Sequence, residues 1–208
     1  IYKKVDKMRY LIVCGGKIDK EFGLNEIKTD GIDAIIAADS GMDFLYENGV
    51  TPDIIVGDFD STKTNALEYF ERKGQTEIRR LNPVKDDTDT EYAIRLAISE
   101  GARSIVVLGA TGSRIDHVLG NISLLGIGLE SKTDISIIDT NNRIRMADKP
   151  VTIEKSAQYG RFVSLIALTD DNEVSLRGFK YPVTDYSFDR FTSVSYTHLR
   201  AHETRGNL

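Results

Sequence analysis

The sequence predicts an α/β protein, in which an N-terminal, mostly parallel sheet with flanking helices is followed by a smaller all-β sandwich. Three observations predict this class. In the first part of the chain, short apolar runs alternate with amphipathic stretches, and the alternation stops near residue 134. Beyond that point short strands follow one another without long helices between them. The chain has 208 residues, enough for one large domain or two small ones.

Most of the predicted strands of the first part are continuously apolar and not alternating, as expected for strands covered on both faces. In chain order they are "RYLIVCG", "DAIIAAD", "DIIVGD", "TEIRRL" and "SIVVLGA". Because helical stretches separate them, we expect parallel strands joined by right-handed crossovers. This is a Rossmann-like three-layer arrangement, with helices on both faces of the sheet.

Four stretches predict helices, since their apolar residues recur at helical spacing and capping signals mark their ends. Ser40 is the predicted N-cap of the first helix, and Gly49 ends it. Gly74 and Gly101 end the next two. The four stretches are "SGMDFLYENG", "STKTNALEYFERKG", "DTDTEYAIRLAISEG" and "RIDHVLGNISLLGIGLES".

The change from alternating strands and helices to strands alone predicts a domain boundary near Ser131–Asp134. Residues 8–132 then form the α/β domain and residues 133–195 the sandwich, with strands in "DISIIDT", "NRIRMAD", "VTIEK", "RFVSLIALT" and "EVSLRGF". Residues 1–7 precede Met8, which looks like a natural start, and residues 196–208 have no apolar period. We expect both ends to be non-native or disordered extensions.

Composition narrows the classes of function. The net charge of −5 and the pI near 5.3 argue against general nucleic-acid binding, and a polyphosphate ligand would need a cation to mediate. No apolar run approaches the roughly 20 residues that span a bilayer, and no secretion signal opens the chain. The single cysteine, Cys14, excludes an internal disulfide and fits a reducing cytoplasm. Cys14 ends an apolar run, which favours a core residue over a nucleophile.

Aspartates stand where the predicted strands end. Asp39 follows "IIAA", Asp58 and Asp60 follow "IIVG", and Asp89 opens a helix after the fourth strand. Ligands of open parallel sheets gather at this edge. Several carboxylates in one crevice repel each other unless a cation compensates, and oxygen ligands suit Mg²⁺. The alternative is that each aspartate is only a turn or helix-cap residue.

The segment "LGATGSRIDH" predicts an anion-binding turn between a strand and a helix. Gly109 and Gly112 allow backbone N–H groups to meet phosphate at a helix N-terminus, and Arg114 adds a bidentate fork. Asp116 and His117 follow at the start of the helix. The alternative is an ordinary glycine-containing turn with a structural histidine. The segment lacks the third glycine of a dinucleotide loop, and "CGGK" lacks the first glycine of a Walker loop.

Two further histidines have the spacing of a zinc-binding pair on a helix. His198 and His202 are four residues apart in "HLRAH". No third ligand is evident in a segment without an apolar period, so we expect no zinc site there.

The motifs "AADSG", "PDIIVGDFDS", "KDDTDTEYAI" and "GATGSRIDHVLGNI" follow one another along the chain. In this order and approximate spacing they resemble the bacterial thiamine pyrophosphokinases, over about Met8 to Ser195. The resemblance implies transfer of the diphosphoryl group of ATP to the hydroxyl of thiamine, which gives thiamine diphosphate and AMP. It also implies Mg²⁺, a homodimer, an N-terminal α/β domain and a C-terminal β-sandwich.

Carried over by position, the resemblance implies that Asp58, Asp60 and Asp89 are catalytic residues and Mg²⁺ ligands. It implies nucleotide binding by Asp39, which supports the same acidic cluster, and by Ser61, Thr88, Gly109, Thr111, Gly112, Arg114, Asp116 and His117. It implies thiamine binding by Ser193 and Ser195.

The chain departs from the family pattern at two places. Ser113 stands where the family has a second glycine before the arginine, and Tyr196 replaces an asparagine after "FTSVS". We therefore expect that the last strands and part of the thiamine pocket are missing.

Two alternatives to this function stay open. The segment Asp58–Thr62 matches the D-x-D-x-T motif of haloacid-dehalogenase-type phosphatases, although that motif normally follows the first strand and here follows the third. The second alternative is a non-catalytic Mg²⁺-nucleotide-binding module.

Overall fold

The chain folds into two units, one ending at Met146 and the other beginning at Ala147. A computed structural model describes residues 8–59, 65–82, 87–197, 199 and 205–208, and for residues 195–197 and 205 the backbone alone. Residues 1–7, expected to be an extension, lie outside the described residues, as do His198 and His202.

A seven-stranded sheet forms the first unit. Its strand order is β4-β3-β2-β1-β5-β6-β7, and all neighbours are parallel except β6 and β7. The predicted mostly parallel sheet is therefore confirmed. The strands are β1 Arg9–Val13, β2 Ala34–Ala38, β3 Ile54–Gly57, β4 Glu77–Arg80, β5 Ser104–Leu108, β6 Asp134–Ile138 and β7 Arg143–Arg145.

Helices connect the parallel strands, and the four predicted ones are present. Thr88 caps α4 by accepting the N–H of Glu91, and Gly74 ends α3 in the left-handed conformation. A further helix, α1, was not predicted, since only Phe22, Leu24 and Ile27 give it an apolar face. The helices are α1 Lys20–Ile27, α2 Gly41–Glu47, α3 Ala66–Lys73, α4 Asp89–Ser99 and α5 Ile115–Ser131. None of these described helices is long and apolar enough to cross a membrane.

The core lies on both faces of the central strands. Ile12, Ile36, Ile55 and Ile105 are fully buried, which accounts for the unbroken apolar runs of the sequence. Burial of one such side chain stabilises the fold by about 1.5–3 kcal/mol. The rigid sheet then fixes the loops at its ends.

Strand β6 belongs to the first sheet, although the sequence analysis placed it in the second domain. It pairs in parallel with β5, and β7 returns antiparallel to it. The strand "DISII" has the apolar pattern of a covered strand, but the pattern does not say which sheet the strand joins. The short turn Asp139–Asn142 that follows β6 also resembles the hairpin turns of an antiparallel domain.

The second unit is a smaller antiparallel β region, as predicted. Its strands form three two-stranded ladders, and its apolar cluster is centred on Leu176, Phe179 and Leu199. A short 3₁₀-helix covers Lys155–Ala157. The ladders are β8 Thr152–Glu154 with β13 Arg205–Asn207, β9 Val163–Ile166 with β12 Ser193–Thr197, and β10 Asn172–Leu176 with β11 Val183–Phe188.

The expectation that residues 196–208 are disordered is wrong for those that the structure describes. Strand β12 continues to Thr197, Leu199 is 4% exposed, and β13 pairs with β8. A Cβ on Gly206 would lie 2.2 Å from Leu199 Cδ2, so the backbone of β13 packs directly on the cluster. Pairing with a distant strand supplies an order that the local pattern does not reveal.

Candidate active site

The carboxyl ends of β1, β2, β3 and β5 meet at one edge of the first sheet, here called the carboxyl edge. Strand β1 lies between β2 and β5, so the chain winds to one side of β1 and later to the other. In open α/β sheets the crevice at such a reversal is where ligands bind.

Glycines let the loops at the carboxyl edge approach each other at backbone distance. The N–H of Gly16 donates to Gly109 O at 2.9 Å, and a Cβ on Gly16 would lie 2.2 Å from that oxygen. A Cβ on Gly41 would lie 1.9 Å from Val13 O. The loops after β1, β2 and β5 are therefore locked into one surface, since a larger residue would force them apart.

Three carboxylates converge at this edge. Asp39 follows β2, Asp58 follows β3, and Asp89 is the first residue of α4; each offers an oxygen within 4.8 Å of the others. Of the predicted metal ligands, the structure thus brings Asp58 and Asp89 together. Asp60 lies outside the described residues, and Asp39, expected to support the cluster, is a full member of it.

The backbone around the cluster has an unusual conformation. Asp39 and Phe59 have φ of 47° and 61°, a left-handed conformation that costs a non-glycine residue about 1–2 kcal/mol. The buried ring of Phe59 lies under the guanidinium of Arg80, 5.4 Å from ring centroid to Cζ. A Cβ on Gly57 would lie 3.2 Å from Asp39 Cα. Close packing therefore holds the two segments in a conformation that they would not adopt alone.

The electrostatics of the three carboxylates favour a cation. Each of the three residues is partly buried, and two unit charges about 5 Å apart repel by roughly 3 kcal/mol at an effective dielectric constant near 20. Carboxylate oxygens are the ligands that Mg²⁺ prefers. The donor set therefore fits a hard divalent cation.

The predicted anion-binding turn lies between β5 and α5. Gly109 has φ of 71°, and a Cβ there would lie 2.3 Å from Cys14 O, so only glycine fits. Asn121, on α5, donates from Nδ2 to Ala110 O at 2.9 Å. The turn is thus held by the loop after β1 on one side and by α5 on the other.

The predicted charged residues of this turn are exposed. Arg114 donates to Asp116 Oδ2 at 2.6 Å and Oδ1 at 3.2 Å, with side chains 66% and 64% exposed. The hydrogen bond from Arg114 holds the pKa of Asp116 below its usual value. His117 is also exposed, in the first turn of α5. The guanidinium that we expect to bind phosphate is therefore reachable from solvent.

One predicted residue, Thr88, and the single cysteine, Cys14, lie near the start of α4. Thr88 is exposed, and its hydroxyl accepts the N–H of Glu91 at 3.2 Å as the helix cap. Two residues further along, the Thr90 hydroxyl lies 3.4 Å from Cys14 Sγ. Burial raises the pKa of the Cys14 thiol to about 11. Cys14 is thus a core residue, as the sequence indicates, and not an activated nucleophile.

The remaining predicted residues lie elsewhere. Ser61 lies outside the described residues. Ser193 and Ser195 both lie on β12 in the second unit; Ser193 is exposed and in register with Ile166.

Sequence reasoning missed two features of the carboxyl edge. The first feature is Asp139, which follows β6 as Asp39 follows β2. Once β6 is placed in this sheet, Asp139 is also an aspartate at the carboxyl end of a parallel strand. The second feature is the pair Gly15 and Gly16, which the sequence analysis compared only with the glycine pattern of a Walker loop. Their role is close packing, which two adjacent glycines after a buried strand can signal.

Comparison with known proteins identifies the family of this chain. The family model described as "Thiamin pyrophosphokinase, catalytic domain" matches residues 28–138, and "Thiamin pyrophosphokinase, vitamin B1 binding domain" matches residues 150–197. The thiamine pyrophosphokinase of Bacillus subtilis is 35% identical over 152 residues, which are 72% of this chain and 70% of that protein.

Solved structures show the same relationship. The crystal structure of the Bacillus subtilis thiamine pyrophosphokinase matches with a TM-score of 0.82 at 28% identity, over 96% of this chain and 92% of that one. The thiamin pyrophosphokinase from Geobacillus thermodenitrificans matches with 0.81 at 28% identity, over 96% and 91%. Since the catalytic-domain model alone spans more than half of the 208 residues, the chain belongs to the thiamin pyrophosphokinase family.

Proposed function

We propose that this protein transfers the diphosphoryl group of ATP to the hydroxyl of thiamine and so forms thiamine diphosphate and AMP. The observation that carries the proposal is the meeting of three carboxylates and a glycine-rich turn at one sheet edge, in a chain that belongs to this family. An acidic protein needs this combination to hold a triphosphate, because its own net charge of −5 opposes anion binding.

The acidic cluster is the proposed metal site. Asp39, Asp58 and Asp89 would hold Mg²⁺, with Asp60 as a further ligand from the same loop. Bound there, Mg²⁺ would neutralise negative charge on the triphosphate and on the departing AMP. The carboxylates themselves are positioned before any ligand arrives, since the sheet and the packing of Phe59 fix the loops that carry them.

The turn Gly109–Arg114 is the proposed phosphate site. Its position at the N-terminus of the 17-residue helix α5 favours an anion, and Arg114 would form two parallel hydrogen bonds to phosphate oxygens. Thr88, Thr111, Asp116, His117 and Ser61 complete the proposed nucleotide contacts. Catalysis in this arrangement is mainly the holding of the hydroxyl in line with the β-phosphorus, and Asp58 or Asp89 would accept its proton.

Thiamine would be bound by the second unit. The vitamin B1 binding model covers residues 150–197, which include Ser193 and Ser195 of β12. We also propose a homodimer in the cytoplasm, as the family resemblance implies. Exposed apolar side chains support an interface on this unit: Phe191 is 87% exposed and Ile166 74%. Sedimentation measurements at several concentrations test the dimer.

One incubation tests the reaction. The protein is mixed with ATP, Mg²⁺ and thiamine, and the products are separated by chromatography. We expect AMP and thiamine diphosphate in equal amounts, and neither when thiamine is left out. Inorganic phosphate formed without thiamine would instead indicate the phosphatase alternative. ATP binding measured by calorimetry with no AMP formed would indicate a non-catalytic module.

A further inference from the structure

Asn121 connects α5 to the proposed phosphate turn. It lies in the second turn of the helix, and its Nδ2 donates to Ala110 O at 2.9 Å. Ala110 is 2% exposed and Asn121 is partly buried, so little water competes for this oxygen. Because a carbonyl oxygen only accepts hydrogen bonds, it is the amide nitrogen of Asn121 that faces it. The contact therefore ties the backbone of the turn to a well-formed part of α5.

A second contact fixes the preceding peptide unit. The N–H of Gly16, in the loop after β1, donates to Gly109 O at 2.9 Å. Two consecutive carbonyl groups of the turn are thus hydrogen-bonded, one to the loop after β1 and the other to α5. The two donors differ in kind, since Gly16 uses its backbone and Asn121 its side chain. Only the contact from Asn121 can be removed by changing a side chain.

The direction of each carbonyl group sets the direction of the next N–H group. A trans peptide unit is planar, and its C=O and N–H point to opposite sides of the chain. Because Gly109 O and Ala110 O face their donors, the N–H groups of Ala110 and Thr111 point away from those donors. In the part of the chain that the structure describes, neither N–H group donates to a backbone carbonyl. Both are therefore oriented without being used by the backbone of the fold.

This orientation matters for an anion. Phosphate oxygens accept hydrogen bonds from backbone N–H groups and are repelled by carbonyl oxygens that face them. The turn contains Gly109 and Gly112, whose backbone rotates at little cost, so a peptide unit between them can turn its carbonyl towards the ligand. Such a rotation at Ala110 would break the bond to Asn121 and leave a buried oxygen unpaired. Asn121 thus fixes the favourable orientation before a ligand arrives.

We propose that Asn121 is a positioning residue that directs the N–H of Thr111 towards a phosphate group of the nucleotide by holding Ala110 O. This inference rests on the proposed function, because the turn Gly109–Arg114 is taken to bind ATP. Asn121 acts through the peptide unit between Ala110 and Thr111 and not by contact with the reacting atoms.

Two substitutions remove the donor in different ways. Asn121→Leu fills the space with an apolar side chain, whereas Asn121→Ala leaves room for a water molecule that can donate to Ala110 O. Asn48→Ala is the matched control, because Asn48 Nδ2 donates to Phe44 O at 2.7 Å at the end of α2. Ser123→Ala is a control on α5 itself, where the exposed Ser123 hydroxyl bonds within the helix.

Calorimetric titration with Mg²⁺-ATP measures the affinity, and kinetics at saturating thiamine give KM for ATP and kcat. Thermal unfolding shows whether each variant is folded. We expect Asn121→Leu to weaken ATP binding and to raise KM for ATP about tenfold, as for one lost hydrogen bond, with a smaller change in kcat. Asn121→Ala is expected to show a smaller loss in the same direction, because water replaces part of the contact. Both controls are expected to stay within about twofold of the parent protein.

The amide signal of Thr111 tests the orientation directly. In isotope-labelled parent protein, nuclear magnetic resonance is expected to show a shift of this signal when Mg²⁺-ATP is added to saturation. The shift is expected to be smaller in Asn121→Leu at saturating ATP. A purely structural role would instead lower the melting temperature and leave the ATP affinity and this shift unchanged, as expected for Asn48→Ala.

Either of two results overturns the inference. The first is an ATP affinity of folded Asn121→Leu and Asn121→Ala equal to that of the controls. The second is a Thr111 amide signal in the parent protein that does not respond to ATP, and this result decides the matter if neither variant folds. A parent protein that binds ATP without forming thiamine diphosphate would end the proposed function, while the titrations and the amide signal would still decide the role of Asn121. A parent protein that binds no ATP would end both.

Discussion

The carboxylates of Asp39 and Asp58 come within 4.8 Å of each other, although 18 residues separate them, because β2 and β3 are neighbours that end at the same edge. Adding Mg²⁺ is expected to raise the melting temperature of the parent protein, since a ligand that binds only the folded state stabilises it. In Asp58→Asn this increase is expected to disappear. Asp30→Asn, changed in an exposed loop before β2, is the control and keeps it. A full Mg²⁺ response in Asp58→Asn would remove the metal assignment.

Gly109→Ala is expected to destabilise the fold more than Gly49→Ala. Both glycines have positive φ, 71° and 68°, so alanine costs about 1–2 kcal/mol at either place. At Gly49 the new Cβ meets nothing within 4 Å, but at Gly109 it would lie 2.3 Å from Cys14 O. The overlap adds about 1–3 kcal/mol at Gly109 alone. Denaturant unfolding measures the loss of unfolding free energy in both variants. Equal losses would mean that the loop after β5 does not contact the loop after β1.

Arg114→Ala is expected to weaken ATP binding without lowering stability. Its ion pair with Asp116 is exposed, and exposed pairs contribute about 0–1 kcal/mol. Arg72→Ala is a matched control, because Arg72 forms a similarly exposed pair with Glu68 on α3. Thermal unfolding should place both variants close to the parent protein. Calorimetry with Mg²⁺-ATP should show a weaker affinity for Arg114→Ala than for Arg72→Ala. Equal affinities in the two variants would contradict the role of Arg114.

Cys14 is expected to resist alkylation at pH 8 in the folded protein and to react after denaturation. Burial raises its pKa to about 11, so almost no thiolate exists at pH 8. Iodoacetamide labelling followed by mass spectrometry measures this. Fast labelling of the native protein would show an accessible thiolate.

The same pKa shift of Cys14 predicts a pH dependence of stability. Because the pKa is raised in the folded state, its contribution is fully present below the unfolded pKa, which is 9.0 for a free thiol. It is lost as the pH rises from about 9 towards about 11, where the unfolded state gains thiolate first. The difference in free energy of unfolding between the parent protein and Cys14→Ala should fall over this range. A constant difference would contradict the shift.

Local patterns predicted the elements that position the site. The apolar runs of β1, β2, β3 and β5 identified these strands because they are covered on both faces, and the aspartates at the strand ends followed from parallel-sheet geometry. The patterns did not identify α1, whose face is only weakly apolar. They also did not reveal the sheet to which β6 belongs, because pairing partners are set by tertiary contacts. Asp139 was missed for that reason.

The hydroxyl and carboxylate contacts of the site lay beyond sequence reasoning in another way. Motif position gave Thr88 and Thr111 the same role. In the structure Thr88 caps α4, whereas Thr111 lies in the turn between β5 and α5. Whether Asp39 joins Asp58 and Asp89 depends on a left-handed backbone at Asp39. Such a conformation in a non-glycine residue has no signal in a single sequence.

The position of β1 between β2 and β5 also determines at which stage of folding the site forms. Arg9 is in register with Ser104, and β2, β3 and β4 lie between them in sequence. Pairings of such high contact order form slowly, since loop entropy is lost before contact energy is gained. A nascent chain that has not yet emerged beyond β5 holds the carboxylates without their glycine turn. Ligand recognition therefore arises late and cooperatively during synthesis, and a shorter fragment is not expected to show a weakened form of it.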